Sequence, residues 1–196
     1  MNEMKSKVIL FHIFYVYKCE ERRRKQVEHV KEPGMNPEDR LRQMISDWQQ
    51  PLLRTCCVLL GDIDQAHDAV QETFVKAWKG LPNFRGDCSE KTWLMRIAIN
   101  VCHDMRRNTW YRIVDRKISI DDIPEPSSAP WEDDYAIFSL ISSLPRKQRE
   151  VVLLRFYHNM SYSEIAETLN ISQPAVTKRM NIAKKTLKTL LKEGIE

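Results

Sequence analysis

Apolar residues recur every three or four positions through most of the chain after residue 37, which predicts helices throughout. The second and third segments, 65–79 and 89–107, carry boundary signals: Gly80 and Pro82 follow the second, and Ser89 can cap the third. Three helices with short connections predict one bundle. Its predicted inward-facing residues are Leu41, Met44, Ile45, Trp48, Leu52 and Leu53, then Ala66, Ala69, Val70, Phe74, Ala77 and Trp78, then Leu94, Ile97, Ala98, Val101, Cys102 and Met105.

The periodicity stops between residues 109 and 133, where Pro124, Pro126 and Pro130 stand among acidic residues and serines. Such a composition is typical of a linker. Four shorter helices are predicted after it, over 134–143, 146–157, 162–169 and 174–192. The expected fold class is therefore all-α, with two small helical domains at 35–108 and 134–192 joined by a flexible acidic linker at 109–133.

The last two predicted helices form a helix-turn-helix. Ser161 and Glu164 have the spacing of a capping box, Asn170 ends the first helix and Ser172 caps the second. One side of the second helix carries Val176, Met180, Ala183, Leu187 and Leu190. The other side carries polar and basic residues that suit a major groove, with base edges met near the N-terminal end and phosphates further along. These residues are Gln173, Thr177, Lys178, Asn181, Lys184, Lys185 and Lys188.

Charge supports this assignment of a DNA-binding helix. The chain has 196 residues with 31 Lys and Arg against 27 Asp and Glu, so its net charge is only +4. Residues 109–134 nevertheless carry −4 and residues 135–196 carry +5. A basic C-terminal third behind an acidic spacer predicts a module that binds a polyanion. The five cysteines include no Cys-x-x-Cys pair, which fits a reducing cytoplasm and argues against a zinc ribbon.

The third helix has a second polar face beside its apolar stripe, with one aromatic residue among hydrogen-bonding groups. It comprises Trp93, Arg96, Asn100, Asp104 and Arg107. Such a face could stack or pair with bases of single-stranded DNA. The alternative is that Trp93 belongs to the core, as a tryptophan at helical spacing more often does.

Residues 1–34 differ from the rest of the chain. The apolar run 8–17 is half the length of a membrane span and is followed at once by charges, so it fits neither a transmembrane helix nor a secretory signal. One interpretation is a short interfacial anchor with a basic flank. The preferred one is a translated leader, because Lys31-Glu32 can be encoded by a ribosome-binding sequence just before Met35.

Several ordered motifs together resemble the bacterial sigma-70 family, in its extracytoplasmic-function (ECF) group. They are Asp68-Ala-Val-Gln71-Glu72-Thr-Phe74, Trp78, Phe84-Arg85-Gly86-Asp87, Lys91-Thr92-Trp93-Leu94-Met-Arg96-Ile97-Ala98-Ile-Asn100, Ser143-Leu144-Pro145 and the helix-turn-helix. The resemblance covers about residues 38–192. It implies that 35–108 is region 2 and 134–192 is region 4.

The resemblance also implies roles for particular residues. Region 2 would dock on core RNA polymerase through Asp68, Gln71, Glu72 and Lys76. The surroundings of Asn100 would capture a base flipped from the −10 element, while Arg106 and Arg107 hold phosphates. Region 4 would read the −35 element. Thr177 and Asn181 depart from the Arg or aromatic residue of many relatives, so the −35 sequence cannot be transferred from another member.

The expected function is thus a promoter-specificity subunit, for a stress or envelope-response regulon, that acts in the cytoplasm with core polymerase and promoter DNA. An anti-sigma factor is a further expected partner, and the free protein is expected to be a monomer. A stand-alone helix-turn-helix regulator is the alternative. No paired carboxylates, metal cluster or phosphate loop indicate an enzyme, a cofactor or a small-molecule substrate.

Overall fold

A computed structural model describes residues 36–116 and 135–193. These residues fall into two compact units, one within Asn36–Tyr135 and the other within Ala136–Glu196. Over the described residues the secondary structure is helical, with no strand, which confirms the all-α class. The leader, the apolar run 8–17 and the larger part of the predicted linker, 117–133, lie outside these residues. Within the part that is described, no helix combines the length and apolarity needed to cross a membrane.

Helix α1 spans Pro37–Leu60 and has a defined start and end. The side chain of Asn36 accepts a hydrogen bond of 2.8 Å from the backbone N–H of Asp39, and Pro37 stands where no intrahelical bond is lost. Gly61 ends the helix with φ 78°, a conformation that suits glycine. Of the predicted core stripe, Met44, Leu52 and Leu53 are buried, while Leu41, Ile45 and Trp48 are half-buried.

Helix α2 spans Ile63–Gly80, two residues earlier than predicted, because Asp62 accepts a hydrogen bond of 2.8 Å from the N–H of Gln65 and so caps the helix. A short 3₁₀ turn follows over Leu81–Asn83. Five of the six predicted core residues are buried. The assignment of Trp78 to the core was wrong, since it is 41% exposed: Ala77 fills the inward position beside it.

Helix α3 spans Glu90–Arg116. Ser89 caps it as predicted, with its hydroxyl accepting a hydrogen bond of 3.1 Å from the N–H of Thr92. The predicted end at residue 107 was wrong, because no Gly or Pro occurs before Pro124 to stop the helix. Its buried side is wider than a single stripe and includes Met95 and Ile99, since α3 packs against both α1 and α2.

The C-terminal unit contains four helices that agree closely with the predicted segments. They are α4 Tyr135–Ser142, α5 Arg146–Val152, α6 Tyr162–Leu169 and α7 Gln173–Glu193. A single π turn, Leu153–Tyr157, continues α5. The Arg149 guanidinium bonds the carbonyl oxygens of Ser142 and Leu144, which satisfies the C-terminal end of α4.

Candidate nucleic-acid interface

The helix-turn-helix is built as the sequence predicts. Ser161 and Glu164 form both hydrogen bonds of the capping box, at 3.2 Å and 2.7 Å. Asn170 adopts φ 50° at the end of α6, and the N–H of Ile171 returns to the carbonyl of Ala166 at 2.9 Å. These contacts fix where α6 stops, and Ser172 then begins α7 by accepting a bond of 3.4 Å from the N–H of Ala175.

Helix α7 separates an apolar face from a polar one. Val176, Met180 and Ala183 are fully buried, and Leu187 is nearly so. We call the polar face the α7 basic face. Its members are all exposed and are the seven residues predicted to meet DNA: Gln173, Thr177, Lys178, Asn181, Lys184, Lys185 and Lys188. The buried face fixes the rotation of the helix, so these side chains are presented together on one surface.

A buried carboxylate joins α5 to α7. Glu150 is 2% exposed, and its oxygens lie 3.1 Å from Arg146 Nε and 3.8 Å from Arg179 Nη1. Arg179 belongs to α7, so this ion pair holds the helix that carries the α7 basic face against α5. Sequence analysis missed it, because nothing in the local pattern shows that residues 150 and 179 meet.

The second candidate surface, on α3, is less uniform than predicted. Asn100, Arg106 and Arg107 are exposed, whereas Trp93, Arg96 and Asp104 are half-buried. Arg107 forms an ion pair of 3.1 Å with Asp104 one turn earlier. Arg106 Nη1 instead donates a hydrogen bond of 2.9 Å to the carbonyl oxygen of Leu59 on α1. The structure thus brings these six residues onto one helix but gives Arg106 a contact within the bundle.

Trp93 is held in a small cluster. Its ring stacks on Phe84 with centroids 4.8 Å apart, and a Cβ placed on Gly80 would come within 3.1 Å of Trp93 Cζ2. Arg40 lies over the other ring of the stack, 5.2 Å from the Phe84 centroid, and its Nε donates to Glu90 at 2.7 Å. Trp93 therefore matches neither alternative fully. Its indole is half-buried, and Phe84 already covers one face of the ring.

A third surface lies on the outer side of α2, which we call the α2 outer face. All four residues predicted for docking are exposed there, and Glu72 pairs with Lys76 at 3.6 Å. Two apolar side chains that the sequence analysis did not assign to this face are exposed beside them, Val75 at 45% and Trp78 at 41%. At helical spacing Val75 lies between Gln71 and Trp78, so the face has an apolar centre with a polar border.

Cys56 and Cys57 of the first unit have thiols that favour the neutral form. Cys56 and Cys102 are buried, and their mutual hydrogen bond together with burial raises the pKa of Cys56 well above its ordinary value. Burial, with smaller effects of Asp62 and Cys102, raises the pKa of Cys57 to about 12. Neutral thiols are poor nucleophiles and poor metal ligands. In 36–116 and 135–193, no cluster of three His, Cys, Asp or Glu residues could hold a metal ion.

Family models match both units of the chain. A model described as sigma-70 region 2 matches residues 44–112, and one described as sigma-70 region 4 matches residues 135–187. The first match contains α2 and the predicted −10 residues. The second contains the helix-turn-helix and most of α7.

Individual relatives match over most of the chain. The ECF RNA polymerase sigma factor SigL of Mycobacterium tuberculosis is 31% identical over 160 residues, which cover 78% of this chain and 89% of the relative. The RNA polymerase sigma-H factor of Pseudomonas aeruginosa is 29% identical and matches 77% of this chain and 88% of its own length. The ECF RNA polymerase sigma factor SigW of Bacillus subtilis is 25% identical, and the match covers 85% of this chain and 96% of the relative.

Solved structures agree in fold. The structure of CnrH in complex with the cytosolic domain of CnrY has a TM-score of 0.61 and 25% identity, and it covers 80% of this chain and 90% of the other. The sigma factor RpoE of Bartonella quintana, solved with the anti-sigma factor NepR, has a TM-score of 0.61 and 24% identity. The match covers 76% of this chain and 97% of the other.

Proposed function

The chain belongs to the ECF group of the sigma-70 family, and we propose that three surfaces of its two helical units divide the work of promoter selection. A sigma factor is a promoter-specificity subunit and not an enzyme. It binds core RNA polymerase, recognises the −35 and −10 elements and starts transcription. The observation that carries this function is the presence of region 2 and region 4 on one chain, in that order. We divide the chain into region 2 at 35–108, a linker at 109–133 whose first residues, 109–116, continue α3, and region 4 at 134–192.

Core polymerase docks on the α2 outer face in this proposal. Asp68, Gln71, Glu72 and Lys76 supply its polar border, and Val75 and Trp78 supply apolar contact area at its centre. Interfaces characteristically combine an apolar core with a polar rim, and aromatic residues contribute much of their binding energy. The exposure of Trp78 beside Val75 supports this assignment, because an aromatic side chain at the centre of such a face is available to be buried by a partner.

The −10 element is assigned to α3. Asn100 is the exposed side chain at the middle of this surface, and its amide can pair with the edge of an unstacked base. Trp93 and Arg96 border it on one side, and Asp104, Arg106 and Arg107 on the other. Trp93 is stacked on Phe84 and half-buried, so the exposed part of its ring is what a base could contact, and Arg107 can exchange its partner Asp104 for a phosphate.

The −35 element is assigned to the α7 basic face. Gln173, Thr177, Lys178 and Asn181 stand in its first three turns and can reach base edges, while Lys184, Lys185 and Lys188 meet phosphates. The anchored rotation of α7 supports this assignment, since a reading helix must keep its donors and acceptors in register with the groove.

We also extend the relatives' partners to this chain. CnrH and RpoE were each solved with a bound protein, the latter an anti-sigma factor, so we propose that an anti-sigma factor holds this sigma factor inactive. The free protein is then a monomer located in the cytoplasm, where core polymerase and promoter DNA are found. The stand-alone regulator is not favoured, because such a protein has no need of region 2.

Reconstituted transcription tests the proposal. Purified chain is added to core polymerase on a library of linear templates, and run-off transcripts are sequenced. Transcripts that start downstream of a shared pair of hexamers are expected only when the chain is present. Tight sequence-specific binding by the free protein, without transcription from holoenzyme, would instead support the stand-alone regulator.

A further inference from the structure

One residue of α7 does not fit the chemistry of its surface. Ile182 is a large apolar side chain, yet it is 43% exposed on the surface of α7. It lies four residues after Lys178 and three residues before Lys185, so both exposed lysines are its neighbours on the helix surface. Sequence analysis assigned it to neither the apolar stripe nor the basic face.

Packing within the unit does not account for Ile182. The buried side of α7 is already occupied by Val176, Met180, Ala183 and Leu187. The side chain therefore points away from the core, beside residues that the proposed function places on DNA.

We propose that Ile182 reads a thymine of the −35 element through the C5 methyl group. This inference rests on the proposed function. An isoleucine has no donor or acceptor, so it cannot distinguish bases by hydrogen bonds. The other bases present hydrogen-bond donors or acceptors in the major groove, and the C5 methyl of thymine is the apolar group exposed there.

The form of the side chain suits this role. A β-branched residue in a helix has one strongly preferred χ1 rotamer, so the methyl groups of Ile182 are already in place before DNA is bound. Lys185 on one side can neutralise a phosphate of the adjacent backbone, and Lys178 on the other side reaches a base edge, so the two lysines hold the aliphatic side chain against the groove. The predicted specificity is therefore for one thymine of the −35 element.

Deoxyuridine provides the test, because it differs from thymine only by the missing methyl and keeps the same hydrogen-bonding edge. A promoter chosen from a −35 library by wild-type holoenzyme is remade with each −35 thymine replaced in turn by deoxyuridine. At one position the replacement should weaken wild-type binding about fourfold, the effect of one buried methyl group. With Ile182→Ala holoenzyme the thymine and deoxyuridine promoters should bind equally.

Two controls make the result specific to Ile182. Ile182→Val, which keeps a branched aliphatic side chain, should retain most of the thymine preference. Thr186→Ala shortens the side chain one helical turn after Ile182 and should leave the preference for thymine over deoxyuridine unchanged. If deoxyuridine has no effect at any position, or if Ile182→Ala keeps the wild-type preference, the inference is wrong while the sigma-factor assignment stands. If wild-type holoenzyme selects no −35 sequence, the assignment of the α7 basic face fails and the inference fails with it.

Discussion

Arg106 Nη1 on α3 donates a hydrogen bond of 2.9 Å to the carbonyl oxygen of Leu59, which is one of the last carbonyls of α1. These carbonyls have no partner inside their own helix, so a cationic side chain that reaches one of them stabilises the helix end. Arg107, the next residue, is exposed and forms an ion pair with Asp104 on its own helix. Two neighbouring arginines that the resemblance treats alike therefore have different structural surroundings.

This difference predicts separate effects of the two arginines. Arg106→Ala should lower the free energy of unfolding by about 1 kcal/mol, since it removes a hydrogen bond from a charged group that is itself partly exposed. Arg107→Ala should leave stability within about 0.5 kcal/mol but reduce the salt dependence of −10 DNA binding by about one unit of slope. Urea unfolding and holoenzyme binding at two salt concentrations measure both quantities. Equal loss of stability in both variants would contradict the distinction.

The α2 outer face provides a prediction about core polymerase. Replacing Gln71 and Glu72 together by Lys should abolish association with core polymerase but leave the fold intact, because both side chains are exposed and the Glu72–Lys76 pair is of the kind worth at most about 1 kcal/mol. Pull-down of core polymerase with helical circular dichroism as the fold check is the measurement. Glu38→Lys reverses a comparable exposed charge on α1 and should still bind. Binding retained by the double variant would place the docking surface elsewhere.

The α7 basic face predicts two kinds of loss. Asn181→Ala should cost about 1–3 kcal/mol on the preferred −35 sequence and relax specificity at one or two base pairs, since Asn181 stands where base edges are reached. Lys188→Ala should weaken binding to all −35 sequences alike, because a phosphate carries no sequence information. It should also reduce the slope of log affinity against log salt concentration by about one unit. Holoenzyme is assayed on a −35 library at two salt concentrations. The reverse pattern would mean that α7 enters the groove in another orientation.

The buried carboxylate predicts a large effect on stability. Glu150→Ala should lower the free energy of unfolding of the C-terminal unit by about 2–4 kcal/mol, because Glu150 is 2% exposed and its loss leaves Arg179 without this partner. Arg146→Ala is the matched control, since it removes the half-exposed end of the same network and should cost less than about 1 kcal/mol. Thermal unfolding monitored by circular dichroism compares them. Similar losses in both variants would show that Glu150 is not the centre of the network.

Cys57 predicts a dependence of stability on alkaline pH. Its thiol has a pKa of about 12 in the folded chain, against an ordinary value of 9.0. Below pH 9 the thiol is neutral in both states, so the full stability is present. Above pH 9 the unfolded chain loses this proton first, which stabilises the unfolded state, and stability should fall as the pH approaches 12. Urea unfolding between pH 8 and 11 should show a shallower decline for Cys57→Ala than for the wild type. Identical slopes would show that Cys57 does not contribute.

Local sequence patterns were sufficient to predict that each helix of the two units forms and where most of them begin and end. Caps such as Ser161 with Glu164 act between residues three positions apart, so the sequence alone is enough to predict them. The apolar spacing of α7 likewise determines which side is buried, and the predicted buried residues Val176, Met180 and Ala183 are confirmed. The predicted end of α3 at residue 107 was wrong. The apolar periodicity weakens there, but no Gly or Pro follows to stop the helix before Pro124.

The sequence by itself determined the family, the helical class, the helix-turn-helix and the set of side chains on the α7 basic face. Each of these depends on spacing within one helix or on ordered motifs. Only the tertiary structure decided which residues from distant segments meet: Arg106 with Leu59, Glu150 with Arg179, and Trp93 with Phe84 and Gly80. It also decided the exposure of Trp78 and Ile182, because how much of a helix face is covered depends on the neighbouring helices, and periodicity within one helix carries no information about them.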